Sequence, residues 1–360
     1  MLFGLNENTT TTMVAVEAMH VPAHLAESFE GIAALGNTYV ENLYEEVINA
    51  QGEFSAKLQK GISTGKLQEA CIEVIQEGAV SNFIAKVKTL FEKLLAAIKA
   101  LFDKFMVWIN NKIKSDKDFL AKYRETLKKK ASEVSDMEYK GHKWGTFDVG
   151  KESAAIVKVA EEVKEEAKEA ARIIVIDGVK YKTEKGKPAV KVEEAAGDVE
   201  KDGSDREAKI EEAIKGMAKL MGVKVSGEAS EVVADYREKL YGGSVDAEVM
   251  TGPNVNDLMS IVETYEKDKS AAEKAFQALE KSYNETIKVY TKAEKDAREA
   301  TDLDMSASTL LAVSKAQASL QNQIAGVYLA ALKDRRDESR AVLAKVLTYC
   351  LLYTSPSPRD

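Results

Sequence analysis

A continuous helical pattern of apolar residues lies between Ser81 and Lys114. Apolar side chains recur there at alternating steps of three and four residues, and neither Gly nor Pro interrupts the run. Lysines occupy most of the opposite surface. At about 1.5 Å per residue, the segment predicts an amphipathic helix of roughly 50 Å whose apolar face must be buried against protein or lipid. The residues expected to contact a partner or a membrane are Phe91, Leu94, Ile98, Leu101, Phe102, Phe105 and Trp108 on the apolar face and Lys86, Lys93 and Lys104 on the basic face.

Shorter helical patterns lie on both sides of this basic segment. Glycine residues separate the patterns on its N-terminal side, and a polar run, Ser115–Asp118, follows it. Ser and Asp in that run favour a helix stop and a new N-cap, so a second helix is predicted from there to about Lys130. The helices predicted before the segment cover 22–35, 37–63 and 65–77, with breaks at Gly36, Gly61, Gly65 and Gly78.

Two short segments have the composition of β-strands. Residues 137–149 alternate aromatic side chains with Gly and Lys. Residues 172–182 carry β-branched residues on both sides of Asp177-Gly178, a dipeptide that favours the tight turn of a β-hairpin. A charged helix is predicted between the two segments. Because an isolated hairpin is marginally stable, we expect the 137–149 strand to join it in a small α+β insert.

Helical patterns return in the C-terminal half. A helical unit at about 205–240 is predicted to end at Gly242-Gly243, and two longer helices are predicted at about 256–301 and 306–348. The connection between these long helices is short, which favours an antiparallel helical hairpin. The predicted fold class is therefore mostly α, with long amphipathic helices in a bundle or in helical hairpins and a small α+β (β-hairpin) insert.

Composition divides the chain into six predicted segments. Residues 183–209 are highly charged and poor in apolar residues, as in a mobile linker. The last residues, CLLYTSPSPRD, resemble a translated sequencing adapter, so we expect an artefactual tail; a natural disordered Ser-Pro tail is the alternative. The predicted segments are a flexible leader (1–20), an N-terminal helical domain (21–136), the insert (137–182), the linker (183–209), a C-terminal helical hairpin region (210–348) and the tail (349–360).

Charge is distributed unevenly along the chain. The net charge is −8, yet residues 81–130 contain 13 Lys and Arg against 5 Asp and Glu, so this segment carries +8 and the rest carries −16. The acidic balance argues against nucleic acid as the main partner. An acidic protein surface, from the same chain or another, or an anionic membrane surface would complement the lysines. Burial in a helical bundle is the favoured interpretation, because an exposed aromatic face would promote aggregation.

The chain lacks the common catalytic signatures. It has no GxxxxGK[ST] phosphate loop, no GxSxG nucleophile elbow and no HExxH zinc motif. Its 2 Cys and 3 His are too few for most metal sites. We therefore predict a non-enzymatic protein without cofactor or metal, and without a signal peptide or transmembrane span. His142 beside Trp144 is a candidate small binding spot, or otherwise part of a half-exposed strand.

A resemblance to a known class of protein adds to this picture. The opening Met1–Asn6 and the amphipathic helix that runs into Lys114–Tyr123 are similar to virion structural proteins of large tailed bacteriophages, over roughly residues 1–130. Such proteins are typically helical and acidic and lack enzyme motifs. The resemblance implies a virion or internal head component that contacts other virion or structural proteins, or further copies of itself.

The resemblance also implies a processing site. Internal head proteins of such phages are often trimmed after a small-x-Glu tripeptide, and Ala15-Val16-Glu17 fits that pattern, so Glu17 is the candidate residue. The same pattern recurs at Glu133 and Glu228.

Two other functions stay open at this point. The basic segment 81–114 suits a peripheral membrane-interacting or ejection protein, since its lysines and aromatic residues match a headgroup boundary. A bacterial cytoplasmic helical scaffold protein is the third interpretation. The expected location is accordingly the virion or, failing that, the cytoplasm.

Overall fold

Long helices make up most of the protein. The structure, a computed structural model, describes residues 28–66, 69–70, 73–74, 77–144, 147–176, 198–299 and 308–354. The predicted mostly α fold with a small antiparallel β unit is confirmed. Its elements are helices α1 (Phe29–Ser63), α2 (Ala79–Lys130), α3 (Val149–Ile176), α4 (Asp198–Met221), α5 (Ala229–Tyr241), α6 (Val255–Glu263), α7 (Tyr265–Glu299) and α8 (Ser308–Thr354), and strands β1 (Glu138–Gly141) and β2 (Glu248–Thr251).

Helices α2, α7, α3 and α8 form a four-helix bundle. Both α2 and α3 pack against α7 and against α8, which places α7 and α8 diagonally across the bundle. The Tyr283 hydroxyl of α7 donates to Oε1 of Gln321 of α8 across this diagonal, at 2.9 Å. Asp268 of α7 also bonds to Arg336 of α8, so the two helices run antiparallel, as predicted, although they lie across the bundle from each other. Helix α1 packs on α2 and α8, and α4, α5 and α6 cover further sides of α8.

The apolar face of α2 fills the core of this bundle. Leu94, Ile98 and Leu101 have no exposed surface. The Phe91 ring stacks on Tyr290 of α7, with 5.4 Å between ring centroids, and Phe102 stacks on Phe276 of α7 at 5.0 Å. Burial of a single large apolar side chain stabilises a fold by about 1.5–3 kcal/mol, so this face alone is a major source of stability. The protein itself supplies the partner that the apolar face requires.

Helix α2 does not end where the sequence predicts. The stop at Ser115–Asp118 is wrong, because α2 continues as one helix of 52 residues. Asp116 is buried within it, where its carboxylate accepts hydrogen bonds from the Tyr265 hydroxyl and from Nε of Arg340, the latter at 3.2 Å. The side chain expected to cap a helix is instead bound to two other helices, and these tertiary contacts outweigh the local capping preference.

Helix α1 is likewise longer than predicted. The predicted breaks at Gly36 and Gly61 are wrong, since α1 runs through both, whereas Gly65 and Gly78 lie outside helices with φ of +69° and +71°. A Cβ atom on Gly36 would lie 2.7 Å from Cβ of Ala97 in α2 and 3.0 Å from Nδ2 of Asn322 in α8. The missing side chain therefore lets three helices approach one another closely.

The small sheet joins distant parts of the chain. Strand β1 pairs antiparallel with β2, from Glu138 opposite Thr251 to Gly141 opposite Glu248. The hairpin predicted at 172–182 is wrong over residues 172–176, which are the last turn of α3, and residues 177–182 lie outside the described residues.

Three other boundaries differ from the predicted ones. Helix α4 begins at Asp198, inside the predicted linker. The predicted 256–301 helix is interrupted at Thr264, between α6 and α7. Helix α8 continues to Thr354, into the predicted tail. The predicted leader lies outside the described residues, and the division into six segments stays a prediction.

We expect Gly36→Ala to destabilise the protein although Ala is the better helix former. The added methyl group would overpack the contact of three helices, at a net cost of about 1–2 kcal/mol. Gly52 is the matched control in the same helix, because a Cβ there meets no atom within 4 Å. Gly52→Ala should raise the free energy of unfolding by about 0.5–1 kcal/mol. Urea denaturation followed by circular dichroism measures both, and equal stabilisation by the two substitutions would contradict the close approach.

Candidate functional site

The largest concentration of polar contacts surrounds one stretch of α8. Residues 333–340, with the sequence KDRRDESR, are called here the charged segment. Such a run usually marks a solvated surface, but α8 is surrounded by other helices. Its side chains therefore reach neighbouring elements in several directions, and these contacts are the most elaborate arrangement of ionisable groups in the described part of the chain.

Arg336 is the centre of the charged segment. Its side chain is 1% exposed. The guanidinium donates to Oδ2 of Asp268 from Nε at 3.2 Å and from Nη2 at 3.0 Å, and to the Val262 carbonyl at 3.1 Å. It also donates to Oγ1 of Thr264 at 3.3 Å and lies 3.2 Å above the centroid of the Tyr265 ring. One cation thus binds the end of α6, the break at Thr264 and the first turn of α7.

The location of Arg336 is electrostatically favourable for a buried cation. Val262 is in the last turn of α6, where helix carbonyls lack intrahelical partners and attract positive charge. Burial raises the pKa of Asp268 above its usual range, and the guanidinium of Arg336 opposes that rise. Because the two charges neutralise each other in the core, each depends on the other for its burial.

A second ion pair, in which the carboxylate is buried and the arginine is partly exposed, lies beside the first. Nε of Arg340 donates to Oδ1 of Asp116 at 3.2 Å, and the Arg340 guanidinium lies 3.2 Å above the centroid of the Phe119 ring. The Tyr265 hydroxyl donates to the other oxygen of Asp116. Since the Tyr265 ring also lies against Arg336, this tyrosine connects the two ion pairs and joins α2, α7 and α8. Burial and the neighbouring carboxylate raise the pKa of Tyr265 well above its usual value.

A third contact ties the sheet to α8. Glu338 accepts hydrogen bonds from the backbone N–H of His142 at 2.7 Å and from Nε1 of Trp144 at 3.1 Å. Nδ1 of His142 lies 2.8 Å from Oε2 of Glu338, and Nε2 lies 2.6 Å from the Val245 carbonyl. Both ring nitrogens face acceptors, and only the imidazolium form donates from both. The geometry therefore favours a protonated His142.

The pKa of His142 agrees with that geometry. Burial alone would lower it, but the hydrogen bonds to Val245 and Glu338 and the negative charge of Glu338 outweigh burial and raise the pKa above its usual value. The ring also packs between aromatic neighbours, with centroid distances of 5.0 Å to Trp144 and 4.9 Å to Tyr241. The sequence left open whether His142 belongs to a small binding spot or to a half-exposed strand. In the structure it lies just after β1, and its ring nitrogens bind groups of the protein itself.

Three further members of the charged segment, Asp334, Arg335 and Asp337, also contact neighbouring elements. The Tyr241 hydroxyl of α5 donates to Asp334 at 2.7 Å. Asp337 lies 3.4 Å from Nζ of Lys112 in α2 and 3.0 Å from Nζ of Lys333. The guanidinium of Arg335 lies 5.1 Å from the centroid of the Phe147 ring. The charged segment thus joins β1, α2, α5, α6 and α7 to α8.

The face of α2 singled out from the sequence lies under α1, α7 and α8 rather than at the surface. Its phenylalanine, leucine and isoleucine members are buried, and Trp108 is partly buried beside Phe105, at 5.6 Å between centroids. The three predicted lysines all contact α1. Nζ of Lys86 lies 3.4 Å from a carboxylate oxygen of Glu46. Nζ of Lys93 and Nζ of Lys104 each lie 5.8 Å from a ring centroid, that of Tyr39 and that of Phe29 respectively.

A membrane could reach this apolar face only after neighbouring helices leave α2, so the membrane function stays a prediction. Glu17, the candidate processing site, lies outside the described residues.

The described residues contain no group of three or more His, Cys, Asp or Glu side chains arranged to hold a metal ion. None of the helices in those residues combines the length and the apolarity needed to cross a membrane.

Comparison of the chain with family models, with curated proteins and with solved structures finds no match.

The buried charges were missed by sequence reasoning, but the sequence carries a signal for them. Asp116, Asp268 and Arg336 each occupy a position where the helical pattern calls for an apolar residue: Asp268 follows Tyr265 by three residues and precedes Ala272 by four. A charge within an apolar seam must be paired to be buried. The pattern therefore indicates buried ion pairs, although not which charges pair.

We expect Arg336→Met to cost about 3–5 kcal/mol of stability, because it leaves Asp268 buried without a counter-charge. The double substitution Arg336→Met with Asp268→Leu should recover much of that loss, since no uncompensated charge is then left. Lys333→Met is the control in the same helix, because its ion pairs are partly exposed and should be worth about 1 kcal/mol or less. Denaturant unfolding measures all three, and equal losses for Arg336→Met and Lys333→Met would contradict the central role of Arg336.

His142 should make stability depend on pH. Because its pKa is raised in the folded protein, the stabilisation is fully present below the ordinary histidine value of about 6.5 and is lost as pH rises through the folded-state pKa. The difference in unfolding temperature between the wild type and His142→Phe should therefore be larger at pH 6 than at pH 9. The variant itself controls for all other titrating groups, and a constant difference between the two pH values would contradict a charged His142.

Proposed function

We propose that this chain is a non-enzymatic structural protein, a component of a tailed-phage virion or of its internal head, that acts through helical packing and protein–protein contacts. The observation that carries the proposal is the charged segment of α8. Its ionisable groups are of the types found in catalytic sites, but here they bind groups of the protein itself. These contacts hold β1, α2, α5, α6 and α7 against α8.

The buried ion pair of Arg336 and Asp268 supports a structural role. Replacing a buried ion pair with apolar residues is often neutral or stabilising, so such pairs add little net stability. What they add here is a fixed arrangement: Arg336 fits where Asp268 and the Val262 carbonyl lie together. A protein that has to present one defined surface to its neighbours benefits from such a constraint.

The dimensions of the bundle fit the same role. Helix α2 is one uninterrupted helix of 52 residues, which at about 1.5 Å per residue extends roughly 78 Å. It is supported along that length by α1, α7, α8 and α6. A long bundle that is braced on several sides presents an extended surface for contacts in an assembly. The assignment to a virion in particular is supported by the resemblance of residues 1–130 to phage virion proteins.

Mass spectrometry of gradient-purified phage particles that encode this chain tests the proposal. We expect peptides from α2 and α8 to be recovered together with capsid proteins after protease treatment of intact particles. If Glu17 is the processing site, the first residue detected in particles is Ala18, and Glu17→Gln leaves the longer N-terminus. Recovery of the protein from the host lysate but not from particles would overturn the virion assignment and favour a cytoplasmic scaffold.

A further inference from the structure

Strand β2 has an open edge. Within the described residues, β1 is the only strand that pairs with β2, and none of the described helices has an extensive contact with β2. A sheet of two strands is marginal by itself, and an unpaired edge offers N–H and C=O groups to a further strand. Natural edges are commonly protected by charge or proline, whereas β2 (EVMT) has no proline and a single charged residue, Glu248.

The hydrogen-bond pattern shows which groups lie on the open edge. The Gly252 N–H donates to the Met137 carbonyl at 3.3 Å, one position beyond the pair of Glu138 and Thr251. Hydrogen-bonded and non-hydrogen-bonded pairs alternate along an antiparallel ladder. Met250 and Glu248 therefore bond to β1, while the N–H and C=O groups of Val249 and Thr251 point away from it.

The side chains near this edge are unusually exposed for their type. Val249 is 62% exposed and Val245, in the preceding loop, is 44% exposed. Glu248 is held by Lys143, with 3.0 Å between Oε2 and Nζ. The edge thus combines free backbone groups with exposed apolar side chains and little unpaired charge, which favours strand addition.

We propose that β2 pairs antiparallel with β2 of a second copy of this chain, about a two-fold axis at Met250. In that register, Val249 lies opposite Thr251 of the second copy, and the outward groups of both residues form four hydrogen bonds. Glu248 lies opposite Gly252, so no like charges face each other. The result is a four-stranded sheet in the order β1, β2, β2 and β1.

The register is self-complementary, as a two-fold symmetric contact requires. A contact of four residues a side is small beside the roughly 1,200–2,000 Å² that stable interfaces bury. The dimer is therefore reversible and depends on concentration. This inference rests on the sheet and not on the virion assignment, because dimer formation by the purified chain and its presence in particles are separate measurements.

Sedimentation velocity of the purified full chain tests the dimer. The average mass of the wild type should rise with concentration from that of the 39.5 kDa monomer. Val249→Pro removes one outward N–H but no bond to β1, so it should keep the helical spectrum and stay monomeric. Val225→Ser, at a 47% exposed valine between α4 and α5, should associate like the wild type. A wild type that is monomeric at all concentrations, or a Val249→Pro variant that still dimerises, would overturn the proposal.

A disulfide tests the register without relying on Val249→Pro. Met250 faces Met250 of the second copy as a non-hydrogen-bonded pair, with Cα atoms about 4.5 Å apart, a separation that a disulfide accepts. In a background with Cys71 and Cys350 replaced by Ser, Met250→Cys should form a covalent dimer on mild oxidation, whereas Val225→Cys should not. Equal cross-linking of the two variants, or none by Met250→Cys, contradicts the register.

Discussion

The burial of one arginine constrains more of this structure than any other contact. Burial of the Arg336 guanidinium is offset by Asp268 and the Val262 carbonyl, which both lie within hydrogen-bond distance of it. These contacts hold α8 against α6, α7 and the break at Thr264, whose hydroxyl also accepts from the guanidinium. Tyr265 then carries the constraint to Asp116, and through it to α2.

Helix α8 can contact most of the other helices because its composition changes along its length. Between Leu320 and Leu332 nearly every residue is buried, so this part is enclosed on all sides as an apolar helix requires. The charged segment follows directly, at the level where α5, α6 and the small sheet meet α8. Apolar packing thus supplies most of the stability in one part of the helix, while paired charges fix the orientation of neighbours in the next.

The sequence predicts secondary structure well where the apolar pattern of a single helix is sufficient. It predicts secondary structure poorly where contacts with other elements determine the conformation. The apolar repeat from Phe91 to Phe105 predicts both the helix and its burial, because periodicity is a local property. At Asp116 and Gly36 the local preference pointed to a break, but contacts with other helices reverse it. Residues 172–176 have strand-like composition and still continue α3, since β-propensity depends on the surroundings.

The contact between His142 and Glu338 gives the proton a structural role. With both ring nitrogens donating, the folded chain holds a proton that the unfolded chain partly releases near neutral pH. Folding therefore takes up protons from solution at this one position, so hydrogen ions act as a ligand of the native state. Their concentration sets how firmly β1 and the loop at Val245 are held to α8.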